Sequence, residues 1–423
     1  MKRIELPERS TWGHILQRPV IDTATLEQQV KGVLDVVKQD SDKAVLQFTR
    51  QFDGVQLSSL VVTDEEIASA IQQVPDDLKR AIKQAANNIR VFHEKQKAAI
   101  EVVETMKGVR CWRKSVGIDK VGLYIPGGTA PLFSTILMLA IPAQIAGCKE
   151  VILCSPPDKE GKLNPAILYA ASLTGVHKIF KVGGVQAIAA MAYGTETVPS
   201  VYKIFGPGNQ YVTCAKQLVQ QEGTAIDMPA GPSEVCVLAD ASANPSFVAA
   251  DLLSQAEHGA DSQVLLVSTD NQLIDAVIQE LSVQLKQLSR KEMAAKALEN
   301  SKAIFVKNMD DAIDLVNEYA AEHLIIACEQ DEWIAEKITN AGSVFLGNYS
   351  PESVGDYASG TNHTLPTNGF ARAYSGVSLD SFVKKITYQR LTKEGLTAIA
   401  PTVTAMAAAE GLDAHKKAVT IRL

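Results

Sequence analysis

The sequence predicts an α/β protein of two parallel-sheet domains, with an N-terminal arm and a C-terminal helical tail. Two observations carry this. Short apolar runs are each trailed by a helical pattern, at the spacing that crossover helices between parallel strands require. The runs also fall into two series, parted by the Pro/Gly-rich link Met228-Pro-Ala-Gly-Pro-Ser233. A length of 423 residues fits that division, because one hydrophobic core stops growing well below this size.

In chain order, residues 1–15 read as an arm. From Thr23 to about Gln96 the pattern is helical. Leu26, Val30, Val33 and Leu34 open one amphipathic run, Ile67, Ile71 and Val74 mark a second, and residues 78–92 form a third. The first strand series is 121–125, 151–154, 178–182 and 201–205. The second is 235–238, 263–267, 303–306, 324–328 and 343–346, with helices beginning near Pro245, Asn271 and Asp310. From about Gly376 the chain turns to Ala/Thr-rich helix without a strong apolar stripe, so it needs something to dock on.

Composition narrows the function classes. Hydrophobic residues at 46% and charged residues at 21% are ordinary for a soluble globular chain. A net charge of −7 argues against nucleic-acid binding, which needs basic surface to displace counterions. No basic amphipathic segment reads as membrane-bound. The uncharged stretch 121–148 could span a bilayer by length, but Pro126, Gly127, Gly128, Pro131 and Pro142 interrupt it. It reads as strand, glycine turn and buried helix. Charges run through the first ten residues without the apolar core of a signal peptide, so the expected location is cytoplasmic. The six cysteines show no metal-ribbon spacing and read as buried thiols.

The stretch Tyr319-Ala-Ala-Glu-His-Leu-Ile-Ile-Ala-Cys328 sets Glu322 and His323 at a helix-to-strand junction. Both types serve as general bases once tuned, yet the same pair could be a solvated helix end. A helix capped by Asn244, with Pro245 at its first position, carries Gln255 and His258 one turn apart near its end. That spacing could hold one ion or mere surface polarity. Glycine turns at strand ends, 126–130, 183–186 and 206–209, could admit a nucleotide, although none matches the G-x-G-x-x-G fingerprint. Two polar clusters follow, 355–363 and 410–415, and four of the seven histidines fall after residue 250.

Taken together, these segments resemble histidinol dehydrogenase. The resemblance runs through Val121-Gly-Leu-Tyr-Ile-Pro-Gly-Gly128, Ala130-Pro-Leu-Phe-Ser-Thr135, Gly206-Pro-Gly-Asn209 and Ala230-Gly-Pro-Ser-Glu234. It continues through Leu253-Ser-Gln-Ala-Glu-His-Gly259, Ala321-Glu-His-Leu324 and Gly355-Asp-Tyr-Ala-Ser-Gly-Thr-Asn-His363, and ends with Glu410 and His415. It implies two Rossmann-like parallel-sheet domains lacking the usual glycine fingerprint, and oxidation of L-histidinol to L-histidine through L-histidinal with two NAD and water. These are the last steps of histidine biosynthesis.

By the same resemblance the zinc ligands are Gln255, His258, Asp356 and His415, and Glu322 with His323 is the acid/base pair. Substrate contacts fall on Ser233, Gln255, His258, His323, Asp356, His363, Glu410 and His415, and NAD contacts on Tyr124, Gln186 and Asn209. Two histidines, one aspartate and a neutral amide would leave zinc its Lewis acidity. The implied arrangement is an arm (1–15), a catalytic domain (16–120 and 234–376), an inserted NAD-contacting domain (121–233) and a tail (377–423). The tail would reach the partner's active site in a homodimer. Two rival readings remain on residues alone: a thiol-dependent aldehyde dehydrogenase using Cys148 or Cys214, and a two-domain small-molecule binding protein.

Overall fold

The computed structural model describes residues 1–18, 23–127 and 131–423. Gly128, Thr129 and Ala130, which the sequence reading put in a glycine turn, lie outside the described residues. A strand β1 (Lys2–Glu5) and a helical turn α1 (Trp12–Ile15) lead to helices α2 (Thr23–Phe48), α3 (Asp64–Gln73) and α4 (Asp76–Glu94). α3 opens on a capping box: the Thr63 hydroxyl accepts from Glu66 N–H, and the Glu66 carboxylate accepts from Thr63 N–H. Strands β2 (Val102–Met106) and β3 (Val109–Gly117) follow.

The first α/β series then begins. It runs β4 (Lys120–Tyr124), α5 (Phe133–Ala146), β5 (Glu150–Ser155), α6 (Pro165–Leu173) and β6 (Lys178–Lys181). It continues with α7 (Gly184–Tyr193), β7 (Lys203–Phe205), α8 (Gln210–Gln221) and β8 (Ala225–Ile226). The strands pair parallel in the order β6-β5-β4-β7-β8. The chain thus builds outward from β4 to one edge, then returns to build the other, which is a doubly wound sheet. Helices α3 to α6 cover one face and α2, α7 and α8 the other. Residues 134–143 of α5 are all buried, so the uncharged stretch is a core helix.

The second series is β9 (Glu234–Ala239), α9 (Pro245–Ala256), β10 (Gln263–Ser268), α10 (Asn271–Gln284), α11 (Lys291–Glu299) and β11 (Lys302–Phe305). α12 (Met309–Tyr319), β12 (His323–Ala327), α13 (Asp331–Ala335) and β13 (Ser343–Leu346) complete it. Its strands are parallel in the order β1-β11-β10-β9-β12-β13, the same winding about β9. α9 to α11 bury one face; α1 and α12 bury the other. The chain closes with α14 (Glu352–Tyr357), β14 (Val383–Leu391), α15 (Lys393–Ala409) and α16 (Asp413–Thr420). Both sheets therefore have the expected parallel α/β architecture.

Three features depart from the sequence reading. The arm 1–15 is built into the sheet: β1 pairs with β11, Lys2 opposite Lys302, and Trp12 is buried. Helices α2 to α4, grouped by sequence with 234–376, pack on the five-stranded sheet. The tail 377–423 contains a nine-residue strand, β14, that pairs antiparallel along β3, which in turn pairs with β2. All five residues of β2 and most of β14 are exposed, so neither shows the apolar alternation that marks a half-buried strand.

Candidate active site

Ligands of doubly wound sheets bind beyond the carboxyl ends of the strands, where the winding reverses. In the five-stranded sheet that crevice lies between β4 and β7. Tyr124 ends β4, Asn209 follows β7 and Gln186 stands in the first turn of α7, and all three line one cavity of about 1510 Å³. This exceeds the roughly 300–1,000 Å³ usual for small-molecule pockets and suits a dinucleotide. The Tyr124 hydroxyl accepts from Gly184 N–H at 3.1 Å. Asn209 caps α8, its side-chain oxygen accepting from Tyr211 N–H and Val212 N–H at 3.1 and 3.2 Å. Gln186 is fully buried and among the described residues its Oε1 has no partner, a donor-seeking atom in the wall of the cavity. Gly206, between β7 and Asn209, has φ of +124°, and a Cβ there would stand 2.0 Å from the Tyr124 carbonyl oxygen. The turn 206–209 closes this tightly only because that residue is glycine.

The six-stranded sheet places its polar residues at the opposite end. Glu234 starts β9 and His323 starts β12, parallel neighbours at the point where the winding reverses, so the cluster lies at the amino ends of these strands. α12 stops at Tyr319, Ala320 adopts a left-handed φ of +54°, and the chain turns directly into Glu322 and His323. Both side chains are buried. The main chain of Glu234 holds the pair: its N–H donates to Glu322 Oε2 at 2.8 Å, and its carbonyl lies 3.2 Å from His323 Nδ1. A carbonyl can only accept, so Nδ1 carries a proton and Nε2 is the nitrogen that gains or loses one. Nε2 is buried, has no hydrogen-bond partner, and stands 3.3 Å from Asp356 Oδ1.

Other carboxylates crowd the same place. Glu352 and Asp356 are four residues apart on α14 and share a face. Glu352 accepts from Ser254 Oγ at 2.6 Å. In the orientation that satisfies both its ends, the buried Gln255 amide donates to Glu352 Oε1 and accepts from Glu234 N–H, each at 3.1 Å. Burial pushes Glu322 up to about 8, with His323 pulling the other way. Burial likewise pushes Glu352 up to about 8. For His323 burial opposes the charged form, but Glu322, Asp356 and Glu352 together outweigh it and raise it to about 10. Burial alone would raise Asp356, but His323 and the neighbouring His363 and His258 bring it below the ordinary carboxylate value. Asp356 is thus the ionised carboxyl of the three, facing the raised His323 imidazole.

The segment 355–363 is held by helix α5 of the five-stranded sheet. Pro142 within α5 has no N–H for the carbonyl four residues back, that of Met138. The Asn362 amide fills the gap, donating to Met138 O at 2.6 Å. Next to it, His363 Nδ1 lies 2.9 Å from the Asp356 carbonyl, and its Nε2 lies 2.8 Å from Thr135 Oγ1. Both nitrogens of His363 are therefore occupied by protein groups, and a substrate contact there requires exchange of the Thr135 bond.

The expected metal ligands divide. Gln255 and Asp356 meet at the cluster, and His258 lies within electrostatic reach of Asp356 and His323. His415 does not join them: it and Glu410 are exposed on the tail, and among the described residues neither side chain bonds to the rest of the chain. Among the described residues no three His, Cys, Asp or Glu groups could hold a metal by themselves. Among the described residues the buried Glu352 Oε2 nevertheless has no partner, and the donors Gln255, His258 and Asp356 match a borderline cation such as zinc. Ser233 precedes Glu234, and its carbonyl accepts from Gln263 N–H at 3.2 Å.

The family model for histidinol dehydrogenase matches residues 16–423. The chain belongs to the histidinol dehydrogenase family. It is 62% identical over 423 residues to histidinol dehydrogenase of Bacteroides thetaiotaomicron, covering 100% of this chain and 99% of that protein. With the chloroplastic histidinol dehydrogenase of Arabidopsis thaliana it shares 53% over 428 residues, covering 100% and 91%. The crystal structure of histidinol dehydrogenase from Elizabethkingia anophelis matches with a TM-score of 0.98 at 55% identity, covering 100% of this chain and 98% of that one. Membership of the histidinol dehydrogenase family makes this chain an oxidoreductase.

Sequence reasoning assigned no role to Glu352, Thr135, Asn362, Arg18 or Asp53. For Glu352 a signal existed, its i, i+4 spacing from Asp356 on a short helix. Arg18 and Asp53 carry none: their partners, Glu234 and Gln186, lie 216 and 133 residues away.

Proposed function

We propose that this chain oxidises L-histidinol to L-histidine through L-histidinal, with two NAD and water, in the last steps of histidine biosynthesis. The supporting observation is the buried Glu322–His323 pair, fixed by the main chain of Glu234 beside Asp356 and Gln255. Gln255, His258 and Asp356 would hold zinc, with His415 of a second copy completing the set. When bound, zinc supplies Lewis acidity and meets the charge of Asp356. With a cation at Asp356 offsetting the carboxylates that raise His323, its Nε2 would be free to accept the alcohol proton in the first oxidation, a role worth about 10²–10⁴-fold in rate. Glu322 then takes a proton from the water that attacks the aldehyde carbon. Tyr124, Gln186 and Asn209 position the dinucleotide, which receives the hydride each time.

The cysteine-dependent alternative finds no support. Burial raises the Cys148 thiol to about 11 and also raises Cys214, so neither is primed as a thiolate.

A member of this chemistry reduces two NAD per histidinol and loses turnover when zinc is removed; full activity of the metal-free protein sinks the reading. His323→Ala should slow both oxidations, and Glu322→Gln mainly that of histidinal. Equal, small effects on both would refute this division of labour.

A further inference from the structure

We infer that Arg18 is a positioning residue for the acid/base pair, acting through Glu234 and the end of α12. It touches neither Glu322 nor His323. Its Nε and Nη2 engage Glu234 Oε1 and Oε2 at 2.5 and 2.8 Å, a two-pronged contact on a side chain only 2% exposed. Nη2 also donates to the Tyr319 carbonyl at 2.8 Å, and the guanidinium carbon lies 4.2 Å from the centre of the Tyr319 ring. One planar cation therefore ties together the two supports of the site. One support is the residue whose N–H and carbonyl hold Glu322 and His323. The other is the helix end three residues before Glu322.

The chemistry of the clamp requires arginine. A guanidinium presents a rigid fork of donors that can bind both carboxylate oxygens and a carbonyl at once, whereas an ammonium is a point charge. Asn368 N–H, at 2.8 Å from Glu234 Oε1, is the remaining donor to that carboxylate. Without Arg18 the buried Glu234 charge loses its cation. The residue must then neutralise or turn toward water, and its main chain moves with it. Tyr319 cannot compensate, because its hydroxyl is already spent on Gln263 Oε1 at 3.0 Å.

The inference rests on Glu322 and His323 being the acid/base pair, and the test separates the two. Arg18→Ala and Arg18→Lys are measured in the full-length, zinc-loaded enzyme with histidinol and NAD, beside His323→Ala. The expected result is a fall in kcat of about tenfold or more in both Arg18 variants, since misplacement by about 1 Å costs up to about 10²-fold. KM for both substrates should stay within about twofold, because the contacts that bind them are untouched. Added guanidinium should restore kcat to Arg18→Ala but not to His323→Ala. Folded Arg18 variants with wild-type kcat overturn the inference, as does a kcat loss that guanidinium leaves unchanged. If Arg18→Ala does not fold, Arg18→Lys decides: wild-type kcat overturns the clamp, and a loss of kcat at unchanged KM supports it. Retained turnover in His323→Ala removes the acid/base reading instead.

Discussion

At the scale of single residues, main-chain groups do the positioning and side chains supply the charge. Glu322 and His323 are legible in sequence as a pair at a helix–strand junction. Their holder is not, because an N–H and a carbonyl of Glu234 would be offered by any residue there except proline, whose N–H is missing. The same limit hid Asp53. It follows Phe52 and precedes Gly54, so in sequence it resembles a turn, yet it lines the large cavity of the five-stranded sheet with Gln186 Nε2 at 3.4 Å. Burial without a cation pushes its carboxyl up to about 6. A carboxyl raised in the folded state stabilises in its neutral form. That contribution is complete below the ordinary Asp value and disappears as pH rises through about 6. Asp53→Asn, neutral at every pH, should therefore melt higher than the parent near pH 8, with the difference closing toward about pH 4. A melting difference that is flat across this range, or that grows as pH falls, would contradict a part-buried Asp53 carboxyl raised by desolvation.

At the scale of elements, the link between the two sheets is a repair. Pro142 breaks one rung of α5, and Asn362 mends it from the far side of the site. Read in sequence, Pro142 argued only against a membrane span. That its free carbonyl partner would be met by a residue 220 positions later follows from no local pattern. The parallel strands were legible, because buried strands with intervening helices leave apolar runs at regular spacing. β2, β3 and β14 were not, because exposure on both faces removes the alternation. The repair makes a quantitative expectation. Asn362→Ala leaves the Met138 carbonyl buried and unmet, at about 1–3 kcal/mol, and should lower kcat by loosening Asp356 and His363. In a Pro142→Ala background the new N–H can bond that carbonyl, so the stability loss from Asn362→Ala should shrink. Chemical denaturation of the four proteins gives the coupling, and equal losses in both backgrounds would show that Asn362 is not mending the helix.

At the scale of the whole molecule, α5 of the five-stranded sheet is tied to the segment 355–363 beside the other sheet's cluster, whereas Glu410 and His415 of the same copy stay exposed. β14, α15 and α16 present Ile386, Tyr388, Met406, Leu412 and Ile421 to solvent, with Ile421 72% exposed. Tail helices with so much uncovered apolar surface are expected to be covered by another chain. Glu410 and His415 ride exposed on this same tail, and we propose that they serve the substrate and the metal. The exposed apolar tail and its motif residues would both be accounted for by a homodimer in which each tail completes its partner's site, and this is the arrangement we propose. It predicts complementation. A His323→Ala chain keeps an intact tail and a His415→Ala chain keeps an intact cluster, so each homodimer should be inactive. Co-expressed at equal levels, half the dimers are mixed, and each mixed dimer holds one site with wild-type His323 and wild-type His415. Activity should therefore return to roughly a quarter of wild type. If the tail instead served its own chain's cluster, every site in the mixture would lack one residue, and the mixture would stay as inactive as its components.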